Sequence, residues 1–69
     1  MDQFELQEGD YIELHRLLKT TGICDSGGIA KLMIAEGAVL VDGSVELRKR
    51  CKIRRGQTVE VNHRKIAVR

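Results

Sequence analysis

The chain has 69 residues, which suffices for one domain with a thin hydrophobic core but not for a deep substrate pocket held in a rigid catalytic shell. Hydrophobic residues make up 42% and charged residues 32%, so a disordered chain is excluded, and the net charge is +2. We therefore expect residues 1–69 to form a single domain that is not an enzyme.

A strand and a helix are predicted at the start of the chain. Alternating apolar side chains over residues 3–7 predict a short edge strand. Asp10 then has the position of a helix N-cap, and Glu13 that of its capping-box partner, which predicts a helix over residues 10–21. The apolar face of this helix would consist of Tyr11, Leu14, Leu17 and Leu18. Gly22 is the expected C-terminal stop.

A second helix is predicted over residues 26–36. Asp25 or Ser26 would be its N-cap, and Gly37 would end it. Its apolar face would consist of Ile29, Ala30, Met33 and Ile34. Two helices joined by so short a turn form a helix–turn–helix-like corner.

From Gly37 onward the apolar period changes to two, which predicts a sheet. Asp42-Gly43 is typical of a hairpin turn, and a second turn is expected at residues 62–64. Over residues 45–54 one face would carry Val45, Leu47, Cys51 and Ile53, and the other Glu46, Arg48, Arg50, Lys52 and Arg54. Val59, Val61, Ile66 and Val68 would continue the inward face. The predicted fold class is α+β, with two helices packed on a small, mostly antiparallel sheet.

Charge is divided unevenly along the chain. Residues 1–36 hold three lysines or arginines against seven acids, a net of −4, whereas residues 37–69 hold nine against three, a net of +6. Such asymmetry is typical of a protein that binds a polyanion. A strand places alternate side chains about 6.5–7 Å apart, so the basic residues of 48–55 could follow a nucleic-acid backbone. The alternative is a charged edge strand that prevents aggregation.

The predicted nucleic-acid-binding site combines this basic segment with the start of the second helix. Free N–H groups and glycines there suit a phosphate, although, taken alone, plain capping with a tight turn is the favoured explanation of Ser26. The candidate residues are Ser26, Gly27, Lys31, Arg48, Lys49, Arg50, Lys52, Arg54 and Arg55. Because the chain has only two aromatic residues, Phe4 and Tyr11, base stacking is disfavoured and recognition through phosphates and shape is expected.

Other chemistry finds little support. The two histidines and two cysteines lack the spacing of a metal site, so no metal or cofactor is expected. The N-terminus has no secretory signal and no apolar run is long enough to span a membrane, so we expect unbonded thiols at Cys24 and Cys51 and a cytoplasmic monomer. The alternative function is a protein-interaction adaptor that uses the basic strand against an acidic partner.

The order of these motifs over about residues 10–61 resembles the S-four-like, or alpha-L, RNA-binding domain. The residues that carry the resemblance are Leu14, Leu17, Leu18, Gly22, Ser26, Ala30, Lys31, Ile34, Gly37, Val39, Val41-Asp42-Gly43 and Gly56-Gln57-Thr58-Val59. Within residues 41–53 the chain is most similar to the stand-alone bacterial YbcJ-like proteins.

This resemblance implies that the chain binds structured RNA, either ribosomal or transfer RNA. It implies that the two helices and the strand that follows them form the binding surface, and that the domain itself catalyses nothing. The family often has a basic residue directly after the helix-opening serine, where this chain has Gly27. The region of the first helix is also more acidic than in strongly basic members.

Overall fold

The computed structural model describes residues 2–7 and 9–69, so the predicted domain start at residue 1 lies outside the described residues. The described residues form two helices and seven strands. In chain order these are β1 (Asp2–Phe4), β2 (Tyr11–Glu13), α1 (Leu14–Thr20), α2 (Gly27–Ala35), β3 (Val39–Val41), β4 (Ser44–Val45), β5 (Lys52–Arg54), β6 (Thr58–Val61) and β7 (Arg64–Val68). The predicted α+β class is confirmed.

The strands form two sheets. The larger has the order β1-β7-β6-β3-β4, and the smaller pairs β2 with β5. Only the β1–β7 pair is parallel among the described strands, so the sheet is mostly antiparallel, as predicted. Two-residue turns at Asp42-Gly43 and Asn62-His63 join β3 to β4 and β6 to β7. All four of these residues have positive φ, the conformation that matches the twist of hairpin strands.

The prediction for the first helix was wrong at its N-terminus. α1 begins at Leu14, and residues 11–13 form β2 instead of a helical turn. Asp10 is therefore no N-cap, and Glu13 precedes the helix without any side-chain cap bond. Tyr11 lies on β2 and is half-exposed, whereas the three leucines of α1 are fully buried. Pairing of β2 with β5 outweighed the local capping pattern, because it satisfies the backbone groups of residues 11–13.

The bounds of the second helix were predicted correctly, but Ile29, expected on its apolar face, is 44% exposed. The N–H of Ile29 donates to Ser26 Oγ over 3.2 Å, which makes Ser26 the N-cap. Gly37 follows the helix at φ +80°, and its N–H donates to the Ile34 carbonyl over 3.1 Å. Glycine adopts this left-handed conformation without steric cost, which explains the stop.

The prediction of one continuous strand over residues 45–54 was wrong. Only β4 and β5 are regular, and residues 46–51 are irregular between them. Val45 and Leu47, both expected in the core, are 56% and 60% exposed, whereas Ile53 is fully buried. The alternation in this segment therefore does not describe two faces of one strand.

The core lies between the helices and the inner faces of both sheets. Its buried members are Leu14, Leu17, Leu18, Cys24, Ala30, Ile34, Val39, Ile53, Val59, Val61, Ile66 and Val68. Both cysteines are free, which confirms that prediction. Burial raises the pKa of both thiols, helped by the negative charge of Asp25 near Cys24 and of Glu46 near Cys51. In the described ranges, no helix has the length and apolarity that a membrane crossing needs.

Candidate nucleic-acid interface

Residues 47–52, named here the basic loop, lie against the first turn of α1. The N–H of Leu14 donates to the Cys51 carbonyl over 2.9 Å, and the N–H of His15 donates to the Lys49 carbonyl over 3.0 Å. These bonds satisfy two of the N–H groups that a helix start leaves without an intrahelical partner. The backbone of residues 49–51 is therefore fixed to the start of α1, and the loop ends at Lys52, which pairs with Glu13 as the first residue of β5.

Within the basic loop, Arg48 forms a bidentate ion pair with Glu46. Arg48 Nε donates to Glu46 Oε2 over 2.9 Å, and Arg48 NH2 donates to Oε1 over 3.1 Å. The Arg48 side chain, followed by its backbone N–H, lowers the pKa of the Glu46 carboxyl to about 2. The Arg48 side chain is still 78% exposed. Arg48 is thus held in one place, but its charge is partly compensated.

The outer face of the β2–β5 pair carries two more cations around an aromatic ring. Tyr11 lies opposite Arg54 in the register, and Glu13 lies opposite Lys52. Lys52 Nζ is 5.0 Å from the centre of the Tyr11 ring, and Arg54 Cζ is 5.8 Å from it, so both are within cation–π range. Because Ile53 between them is buried, the prediction that Lys52 and Arg54 share an outward face is confirmed.

A groove between α1 and α2 adds cations that the sequence analysis did not select. It is lined by His15, Arg16, Lys19, Thr20, Gly27 and Lys31. Arg16 and Lys19 were missed because the first half of the chain is acidic overall. Their three-residue spacing, which places two side chains on one helical face, could have indicated them. Arg16 also lines a second cavity with Tyr11 and Glu13, so it lies between the groove and the β2–β5 face.

The predicted site residues are therefore divided among three places. Arg48, Lys49, Arg50 and Lys52 line one cavity at the basic loop, Gly27 and Lys31 line the interhelical groove, and Arg54 lies on the outer face of the β2–β5 pair. The first two places are connected. The bond between His15 and Lys49 joins these two places, since His15 also lines the groove. We name the exposed cations of the basic loop, β5 and the groove the basic face: Arg16, Lys19, Lys31, Arg48, Lys49, Arg50, Lys52 and Arg54.

Two predicted residues have structural contacts that occupy them. Ser26 Oγ accepts the capping bond of α2. Arg55 donates from Nη1 to the Gly9 carbonyl over 3.2 Å and from Nη2 to the Leu6 carbonyl over 3.0 Å. The Arg55 guanidinium thus holds Leu6 and Gly9 in place. In contrast, a Cβ at Gly27 would meet nothing within 4 Å, so this position has room for a longer side chain.

Comparison with known proteins places this arrangement in a family. The model of the S4 domain family matches residues 4–69. The chain is 56% identical over 59 residues to YbcJ of Escherichia coli (strain K12), covering 86% of this chain and 84% of that protein, and a YbcJ protein of Shigella flexneri matches equally. A solution structure of YbcJ from E. coli superposes with a TM-score of 0.76 at 50% identity, covering 99% of this chain and 86% of that one. That structure is described as revealing an alpha-L motif involved in RNA binding.

Proposed function

The chain belongs to the S4 domain family, and from this premise we propose that it binds structured RNA through the basic face. The observation that carries the proposal is the continuity of that face. The basic loop is bonded to the start of α1, and α1 shares a groove with Lys31 of α2. The solution structure of the related YbcJ is described as containing an alpha-L motif involved in RNA binding, which supports the same proposal.

Phosphate contacts would supply most of the affinity. The basic face carries eight lysines or arginines on α1, α2, the basic loop and β5, and exposed cations of this kind release condensed counterions when they meet phosphates. Arg50 offers bidentate donors that suit phosphate oxygens, whereas Arg48, which is 78% exposed but paired with Glu46, offers only the donors that this pair leaves free. Arg55 is left out of the proposed interface, because its guanidinium already donates to two carbonyls.

Several finer points belong to the same proposal. We infer that the RNA is ribosomal or transfer RNA, that the whole chain acts as one domain, and that the protein works as a cytoplasmic monomer without catalysing a reaction. The resemblance to S-four-like domains supports ribosomal or transfer RNA over an unstructured RNA, since such domains are expected to bind folded RNA. Filter binding to a ribosomal RNA fragment, a transfer RNA and an unstructured oligonucleotide would rank the three substrates.

The test of the interface uses three double variants that each remove two positive charges. Arg48→Ala/Arg50→Ala removes cations from the basic loop, and Lys19→Ala/Lys31→Ala removes them from the groove. The control, Lys65→Ala/Arg69→Ala, removes exposed cations of the β7 segment, on another part of the surface. The overall net charge of all three falls from +2 to 0, so charge loss alone cannot separate them.

We expect both interface variants to bind a structured ribosomal RNA fragment roughly tenfold or more weaker near 0.1 M salt, with a shallower salt dependence. The control should lose much less affinity. All three should remain folded, since exposed substitutions change stability by about 0.5 kcal/mol or less. Equal affinity for the three variants would show that the basic face is not the RNA interface.

A gain of binding is expected from Gly27→Arg. The position is the first residue of α2, lines the groove and has open space around it. An arginine there would restore the basic residue that the family often has after the helix-opening serine, and it would add one phosphate contact. We expect a roughly fivefold to tenfold gain in affinity, measured beside Gly27→Ala as the control for helix propensity.

An exposed apolar patch favours a second candidate function, binding of an acidic protein partner. A Cβ at Gly37 would lie 3.8 Å from Val45 and 4.0 Å from Leu47, so both of these exposed side chains lie near the end of α2, where the basic loop begins. Exposed apolar groups beside cations are typical of protein interfaces. A competition experiment tests this second candidate. If an acidic protein partner binds the basic face, structured RNA should displace it from this chain.

A further inference from the structure

Tyr11 lies beside the basic face, and its exposed aromatic side chain has no structural role in the fold described above. We propose that Tyr11 stacks on a single unpaired RNA base, while Lys52 and Arg54 hold the two phosphates that flank the same nucleotide. The proposal rests on RNA binding by the basic face. It adds a base-contacting subsite to an interface that otherwise reads only phosphates and shape.

The position of Tyr11 is not explained by packing. The residue is 42% exposed, and it is not part of the hydrophobic core cluster. Its neighbour Ile12 packs against that cluster, so the strand directs Ile12 inward and Tyr11 outward. An aromatic side chain that lies outside the core and on a cationic surface has the placement of a stacking platform.

The two cations lie where a nucleotide's phosphates would need them. Lys52 and Arg54 are alternate residues of one strand, so their backbone positions are about 6.5–7 Å apart. Successive phosphates of an RNA strand repeat at a similar distance. Lys52 Nζ and Arg54 Cζ lie over the ring, 5.0 and 5.8 Å from its centre, so a base that stacks on Tyr11 displaces these cations towards its own phosphates. Ring and charges form one surface. A nucleotide laid across it could place its base on Tyr11 and a phosphate at each end.

The ligand must present an unpaired base. In a paired A-form helix the base faces are covered by their neighbours, and only edges and backbone are accessible. A bulged or loop nucleotide can leave the stack and lie on an aromatic ring. The subsite therefore selects folded RNA that carries a bulge or loop beside a paired stem, without strong preference for the identity of the base.

The test uses three versions of one RNA hairpin. The first carries a single bulged adenosine, the second carries an abasic nucleotide at the same place, and the third is fully paired. The abasic version keeps both phosphates and lacks only the base. We expect the unchanged protein to bind the bulged hairpin roughly fivefold to a hundredfold more tightly than the abasic one.

Variants of Tyr11 separate stacking from charge placement. Tyr11→Leu should bind the bulged and abasic hairpins equally, because leucine keeps an apolar side chain without a stacking ring. Tyr11→Phe should keep the preference for the bulged hairpin, since it retains the ring. Thermal unfolding of both variants by circular dichroism confirms that they are folded before binding is compared.

The spectroscopic readout reports the same residue directly. The chain contains one tyrosine and no tryptophan, so its intrinsic fluorescence comes from Tyr11 alone. Stacking should quench this fluorescence on the bulged hairpin and much less on the abasic one. Equal affinity for both hairpins, with no difference in quenching, would overturn the stacking subsite while leaving RNA binding in place. A protein that binds none of the three hairpins would overturn both this inference and the proposed function.

Discussion

Residues 45–54 and residues 58–68 carry similar alternating patterns, and the molecule uses them in opposite ways. In the second segment the alternation becomes the β6–β7 hairpin, and Val59, Val61 and Ile66 are fully buried. In the first segment the chain leaves the sheet after Val45, and both Val45 and Leu47 are largely exposed. Alternation therefore predicts two faces only where strands exist to pair with the segment.

Backbone pairing explains the difference. β6 lies between β3 and β7, so its N–H and C=O groups are satisfied on both sides. The carbonyls of Lys49 and Cys51 instead accept from the first residues of α1. Every buried backbone group needs a partner, and for the basic loop the partner is a helix start. The result is a cationic loop fixed to α1 in place of a regular strand.

The largest expected effect is a loss of stability when a buried side chain of residues 58–68 is shortened. Ile66→Ala should lower the free energy of unfolding by about 2–5 kcal/mol, because it removes buried methylene groups and leaves a cavity. Leu47→Ala should change it by about 0.5 kcal/mol or less. Urea unfolding followed by circular dichroism measures both, with Ile66→Val as the milder variant if the alanine variant is unfolded. Similar losses of unfolding free energy for Ile66→Ala and Leu47→Ala would show that the two segments contribute equally to the core.

A smaller effect is expected at the turn that joins β3 to β4. Asp42 Oδ1 accepts from the Thr58 N–H over 2.9 Å, and Oδ2 accepts from Gln57 Nε2 over 3.1 Å. Asp42 also has φ of 51°, which alanine adopts less readily than asparagine does. Asp42→Ala should therefore cost about 1–2 kcal/mol of stability, and Asp42→Asn clearly less. Equal unfolding midpoints for the two variants would mean that the turn does not depend on this side chain.

The smallest expected effect concerns Glu46, which holds Arg48 in the basic loop. The pKa of Glu46 is lowered to about 2, mainly by the side chain of Arg48. A lowered pKa stabilises the fold above the ordinary carboxyl pKa, near 4.5, and this contribution is lost as the pH falls towards 2. Glu46→Gln should thus be slightly less stable than the unchanged protein at pH 6, and the difference should shrink on acidification.

The same substitution should change RNA affinity in the other direction. Without the carboxylate, Arg48 is released to bind phosphate, and one negative charge leaves the basic face. We expect binding roughly twofold to fivefold tighter near 0.1 M salt. Glu60→Gln, on β6 of the other sheet, is the matched control and should leave affinity nearly unchanged. Weaker binding by Glu46→Gln would show that the ion pair orients Arg48 for RNA.

The pattern of charge in the sequence was enough to predict one part of the candidate site, the basic run of residues 48–55. The run of basic residues identified Lys49, Arg50, Lys52 and Arg54, all of which are exposed. Burial of Ile53 between the last two also agrees with the alternation. Arg16 and Lys19 were not found, since the local sequence around them is acidic. Their place in the site depends on α2 packing against α1, and no pattern within one helix specifies that contact.

Sequence alone predicted the second helix, the two hairpin turns, the unbonded thiols and the family of this protein. The helix and the turns depend on contacts between residues close in the chain, such as Ser26 with Ile29, and the family depends on the order of motifs along it. Tertiary structure decided the start of α1, the exposure of Tyr11 and the path of the basic loop. These depend on bonds between Leu14 and Cys51 and on pairing between β2 and β5, which join segments about 40 residues apart. Local patterns cannot specify such partners, because the backbone groups of residues 11–13 could equally have been satisfied by a helix.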